Sequence, residues 1–132
     1  MEITLTFPGN KKTLARVGDF EVLTDQPVMA GGDGAATTPF ALFLTSIVSC
    51  AGIFLVHFCQ KRDIPTDNIK IVQRVERNPE TGRIDRISLD IVVPDDFPDK
   101  YRNALINTVD LCSVKKTMLD PPEFDVRTVT AG

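Results

Sequence analysis

From Pro39 to Cys59 the chain carries no Asp, Glu, Lys or Arg. Few folds accommodate such a run. An uncharged stretch of about 20 residues is long enough to cross a bilayer. A helix buried on all sides inside a protein is also apolar all round. Thr45, Ser46, Ser49, His57 and Gln60 interrupt the apolar character, and the run lies between segments that read as strands. The expectation is therefore a buried central helix, not a membrane span. Thr38 suits the N-cap and Pro39 the first helical position. Lys61 and Arg62 suit the negative end of the helix dipole, and Pro65 forbids continuation. Small residues at Ser46, Ser49, Ala51 and Gly52 leave room for another backbone. A helix apolar on every side needs more cover than one sheet from 132 residues supplies, so a homodimer is expected.

The flanking sequence reads as α+β within a single domain, residues 1–132. Glu2–Thr6, Thr13–Val17 and Phe20–Thr24 have strand character, with Pro8-Gly9-Asn10 and Gly18-Asp19 as turns. Gly31-Gly32-Asp33-Gly34 is a loop. Ile69, Ile71 and Val75 alternate, as do Ile87, Leu89, Ile91 and Val93, and Asn78 to Gly82 joins them as a hairpin. Pro98 opens a second helix with Tyr101, Leu105 and Val109 on one face. A third, short helix stops at Asp120-Pro121-Pro122, and Phe124–Val129 reads as a final strand. The formal charge of −3 argues against nucleic-acid binding, which normally needs a basic face. No basic n-region with an apolar stretch opens the chain, so no signal peptide is expected. Three cysteines, an odd number, fit the reducing cytoplasm better than a disulfide scaffold.

Cys50 lies in the middle of the apolar run and Cys112 opens the segment Cys112-Ser113-Val114-Lys115-Lys116. Distant single thiols suggest redox chemistry more than zinc binding. A thiol must ionise to act as a nucleophile. Cys112 is expected at a helix N-terminus, near Lys115 and Lys116. Cys50 has no such help from its sequence neighbours, and burial alone would raise its pKa. Read from the residues alone, Cys50 is a small core residue more readily than a nucleophile. A reactive Cys50 needs a cation from elsewhere, and Arg16, Lys11 and Lys12 are the candidates. Cys59 lies on another helical face and is expected to pack as core. His57, two turns beyond Cys50, could orient a thiol or join Cys50 and Cys112 on a metal. Without CxxC or HxxxH spacing the metal signal is weak, and no metal or cofactor is expected.

The order of motifs resembles that of the OsmC/Ohr family of hydroperoxide-related proteins. The resemblance runs through Gly31-Gly32-Asp33-Gly34, Thr37-Thr38-Pro39, the helix Leu42 to Cys50, Lys61-Arg62 and the paired strands. It ends at Leu111-Cys112-Ser113-Val114-Lys115-Lys116-Thr117-Met118. It implies an OsmC-like fold, with antiparallel sheets wrapped around long central helices in an intertwined homodimer. It also implies a thiol-dependent peroxidase acting on organic hydroperoxides. Carried over, Cys50 is the peroxidatic thiol and Cys112 the resolving one, with a dithiol reductant restoring the pair.

Three departures accompany the resemblance. Phe40 stands where active peroxidases of the family carry an acid that holds the activating arginine. That arginine has no clear counterpart here, Lys11 or Lys12 falling near it and Arg16 further on. Ser113 follows the second cysteine where the family usually has proline. These departures look more like the family's less-characterised branch than its hydroperoxide-resistance branch. Two functions are therefore carried forward. One is a peroxidase using Cys50 and Cys112. The other is a non-catalytic dimer binding an apolar ligand in an interface pocket of Phe40, Phe43 and Phe54, with His57 beside it.

Overall fold

A computed structural model describes residues 1–131. By its internal contacts the chain divides into two units, Met1–Ser46 and Ile47 onward, with the division inside the long central helix.

The first unit begins with an antiparallel meander, β1 (Ile3–Gly9), β2 (Lys12–Val17) and β3 (Phe20–Thr24), in the order β1-β2-β3. Ile3 pairs with Val17, Leu5 with Ala15, and Val17 in turn with Phe20. The β1–β2 turn uses Gly9 at φ +148° and Asn10 at φ +45°, conformations that glycine and asparagine adopt most readily. All seven residues of β1 are exposed, Ile3, Leu5 and Phe7 among them. After β3 the chain folds around Asp25, which is fully buried. Its carboxylate accepts from the amides of Gln26 at 2.7 Å, Ala35 at 3.0 Å and Asp33 at 3.2 Å. These bonds depress its pKa, the Ala35 amide most of all, so Asp25 stays ionised. Asn10 and Lys12 bond Asp33 on the same loop. Thr38 caps the helix that follows, its hydroxyl accepting from Ala41 N–H at 3.2 Å.

That helix, α1 (Pro39–Gln60), matches the extent its missing charges indicate. Its buried residues are Ile47, Ala51, Leu55, Phe58 and Cys59, a single stripe at helical spacing. The burial on all sides expected from the sequence is therefore absent within one chain. Phe40, Phe43 and Ile53 are exposed.

In the second unit Ala51, Leu55, Phe58 and Cys59 of that stripe pack with Phe97, Leu105 and Val109. Partly buried Ile69, Ile71, Leu89 and Ile91 of the following hairpin surround the cluster. The hairpin is β4 (Lys70–Arg77) paired antiparallel with β5 (Ile84–Val92). Asn78 organises its turn, its side-chain oxygen accepting from Glu80 N–H at 2.9 Å and Thr81 N–H at 3.0 Å. Arg62 closes α1, bonding the Phe58 carbonyl at 3.0 Å with its guanidinium 3.6 Å from the Phe58 ring. A 3-10 turn at Asp99–Tyr101 precedes α2 (Arg102–Val109), so the helix expected from Pro98 begins with a tighter turn. Its expected face holds, with Leu105 and Val109 buried and Tyr101 packed beside them. The short α3 (Ser113–Leu119) follows at once.

One element differs in kind. Phe124–Val129 forms no strand. Phe124, Val126 and Val129 are 87, 92 and 80% exposed. Alternating residues make a segment able to pair, but a ladder needs a neighbouring strand. Among the described residues this chain offers that segment none.

Candidate active site

Cys50 sits mid-way along α1, half-buried, one turn after Ile47. Cys112 is the N-cap of α3, buried at 2% exposure, with an extended backbone (φ −49°, ψ 124°). The sequence forces this corner. After α2 the amides of Asp110 and Leu111 close onto Ile106 and Thr108, and Lys116 N–H then bonds the Cys112 carbonyl at 3.0 Å to start α3. The turn lays Cys112 and Ser113 against one stretch of α1. The Cys112 thiol lies 3.8 Å from the Ile47 carbonyl oxygen and donates toward it. Cys112 and Cys50 are close enough in this corner to shift each other's titration. Cys50 Sγ is 3.8 Å from Ser113 Oγ.

The two thiols are driven apart in acidity. The Val114 backbone N–H, and next the Cys112 thiol, lower the Cys50 pKa to about 7, against burial. The Ser113 hydroxyl and amide add to the lowering. Burial pushes the Cys112 thiol up, and a charged Cys50 beside it pushes the same way. The directions favour ionisation at Cys50 before Cys112. Opposed shifts in adjacent groups are a common mark of reactive centres.

This corrects the sequence reading of where the help falls. The start of α3 had been expected to activate Cys112. It acts on both thiols: the Lys115 and Val114 amides lower Cys112, where burial outweighs them, while the Val114 and Ser113 amides lower Cys50. Val114 and Ser113 were not foreseen as groups acting on Cys50. The only sequence signal was the expected helix start itself, which does not say which thiol it faces. The candidate cations have partners of their own in the first unit. Arg16 pairs with Glu21 at 2.8 Å, Lys11 donates to the Ala30 carbonyl at 2.8 Å, and Lys12 binds Asp33. Phe40 and Phe43 stack at 5.5 Å near the start of α1. Phe54 is half-buried and His57 exposed. Cys59 is fully buried in the core, where burial raises its pKa. Among the described residues no group of three His, Cys, Asp or Glu is placed to hold a metal ion.

Residues 31–127 match the family described as OsmC-like protein. The chain belongs to that family. Its α+β architecture agrees with solved OsmC-like structures. An OsmC-like protein from Mycoplasma pneumoniae is 14% identical, with TM-score 0.70 over 91% of this chain and 87% of that one. A Psychrobacter arcticus protein named for an osmotic stress and detoxification response is 24% identical, with TM-score 0.72 over 87% and 85%. The organic hydroperoxide resistance protein OhrB of Bacillus subtilis is 22% identical, with TM-score 0.52 over 89% and 90%. No curated protein matches the chain in sequence. The helix α1 that carries Cys50 is long and apolar enough to cross a membrane, and it buries one stripe of side chains within the chain.

Proposed function

We propose that this OsmC-like chain is a thiol-dependent peroxidase for organic hydroperoxides, working as a homodimer in the cytoplasm. The observation that carries the reading is the placement of both thiols in one corner, Cys112 Sγ 3.8 Å from the Ile47 carbonyl and Cys50 Sγ 3.8 Å from Ser113 Oγ, with the Cys50 pKa lowered to about 7 and that of Cys112 raised. The names of similar folds, among them the Bacillus subtilis hydroperoxide resistance protein, support the substrate class.

The chemistry follows from the two protonation states. The Cys50 thiolate attacks the terminal oxygen of the hydroperoxide and the O–O bond breaks. The alkoxide leaves and takes a proton from water, giving the alcohol, while Cys50 becomes a sulfenic acid. Cys112 sulfur then attacks Cys50 sulfur. The sulfenic hydroxyl leaves with the Cys112 proton as water, and a disulfide remains. A dithiol reductant returns both thiols by exchange. A raised pKa suits Cys112 to this order of events. It stays a proton donor while Cys50 is a thiolate and becomes a nucleophile only when Cys50 turns electrophilic.

The alternative, an apolar-ligand-binding dimer, is favoured by one feature. Phe40 and Phe43 form a half-exposed ring pair. One assay separates the two readings: consumption of cumene hydroperoxide with a dithiol, comparing the natural chain with Cys50→Ser. The peroxidase reading predicts turnover that falls about a thousandfold or more in the variant, the scale of losing a nucleophile. Equal, background consumption by both proteins would leave the ligand-binding reading.

A further inference from the structure

Two side chains act on Cys50 sulfur, those of Cys112 and Ser113, and only Ser113 keeps its proton through the reaction. We infer that Ser113 is a catalytic residue of this centre, its hydroxyl donating to Cys50 sulfur while that sulfur is a thiolate. The role in turnover rests on the peroxidase reading above; the contact itself does not.

Ser113 Oγ lies 3.8 Å from Cys50 Sγ, within hydrogen-bonding reach of sulfur. With Cys50 protonated, either atom can donate. Once Cys50 ionises, only the serine hydroxyl has a proton to give. Hydrogen bonds to a charged acceptor are roughly twice as strong as neutral ones, so the contact favours the ionised state. The backbone places it. Cys112 is extended and Ser113 is the first residue of α3, so consecutive side chains meet the same part of α1. Cys112 is the other side-chain donor, but it surrenders its proton with the departing water when the disulfide forms. Ser113 undergoes neither oxidation nor exchange. It is the side-chain donor that keeps its proton throughout the cycle.

The charged and titratable groups of the neighbouring elements do not displace this account. On the α2–α3 side they are Asp110, Lys115 and Lys116, with Lys115 paired to Asp110. On α1, His57 lies two turns beyond Cys50 and is exposed. The leading influences on Cys50 are hydrogen bonds from Val114, Cys112 and Ser113, opposed by burial.

The test is the pH profile of iodoacetamide labelling at Cys50, read by mass spectrometry, in the natural chain and in Ser113→Ala, Ser113→Thr and Ser113→Pro. Alanine removes the hydroxyl and threonine keeps it. Proline removes hydroxyl and amide proton together. It fits the first helical position, and the extended Cys112 backbone tolerates a following proline. Ser113→Ala should raise the labelling midpoint by about half a unit to one unit, slowing labelling at pH 7 about two- to fivefold. Ser113→Thr should restore the natural midpoint, and Ser113→Pro should raise it further than alanine. A natural midpoint in Ser113→Ala and Ser113→Pro, both folded by circular dichroism, would overturn the inference. Hydroperoxide consumption by the same proteins separates it from the peroxidase reading. Cys50-dependent turnover with no Ser113 effect on midpoint or rate rejects the serine and keeps the peroxidase. A shifted midpoint in a chain that consumes no hydroperoxide keeps the serine contact and rejects the peroxidase.

Discussion

Cys50 owes its acidity to groups far away in sequence, Ser113 being 63 positions on. Lysine and arginine side chains are the usual source of a low thiol pKa, but oriented N–H, O–H and S–H donors favour a thiolate for the same electrostatic reason. The donor with the largest influence is a backbone amide, that of Val114, which only a substitution by proline would remove. Cys112, second in influence, can be removed. Cys112→Ala should raise the Cys50 labelling midpoint from about 7 toward the free-cysteine value of about 8.5, without reaching it while the Val114 amide remains. Iodoacetamide labelling against pH checks this. Arg16→Met belongs in the same series. A rise there would add a cation to the bonds already described. Global stability against pH is a poorer readout, because the two thiols act with opposite sign. The depressed Cys50 stabilises the fold above the unfolded thiol range, an effect lost as pH falls through about 7. The raised Cys112 stabilises it below that range, an effect lost as pH rises through its folded value.

Among the elements, the loop after β3 is the most constrained by backbone. Gly32 N–H bonds the Pro27 carbonyl at 3.1 Å, and a Cβ built on Gly32 would lie 2.0 Å from the Gln26 carbonyl oxygen. That neighbour is main chain, itself tied to Gly34 N–H at 3.0 Å, and cannot swing aside. Gly32→Ala should therefore cost about 1–3 kcal/mol, the scale of overpacking. A lowered urea midpoint checks it, and an unchanged midpoint would show that the loop yields. The glycine cluster and the turn it makes are legible in the sequence, as is α1 from its missing charges and its Thr38-Pro39 start. The hairpin β4–β5 is legible because alternation and turn chemistry are local. The fate of Phe124–Val129 is not, since alternation specifies a face and not a partner. Nor is the role of Asp25, whose burial depends on three amides up to ten residues away. The site was half legible. Both cysteines stand out in the sequence, but the burial that outweighs the α3 amides at Cys112, and the reach of those amides to Cys50, are decided by tertiary packing.

For the whole molecule, the exposed apolar side chains are the main thing left to explain. Phe40, Phe43 and Ile53 on the helix and Ile3, Leu5 and Phe7 on β1 are exposed in the single chain. Exposed apolar surface on this scale points to an interaction surface. A second copy is the occupant proposed here. Sedimentation at micromolar concentration should find a dimer, and Ile53→Asp, at 58% exposure in the single chain, should shift it toward monomer. A stable, folded monomer of the natural chain would refute the dimer while leaving the thiol chemistry in place. The thiol chemistry has its own test, which bears on the central claim most directly. The reduced protein is given one equivalent of cumene hydroperoxide without reductant, and its cysteines are mapped by mass spectrometry. The account predicts a Cys50–Cys112 disulfide, with Cys59 still a thiol because it is fully buried in the core. Three free thiols after that treatment, or oxidation confined to Cys59, would contradict it.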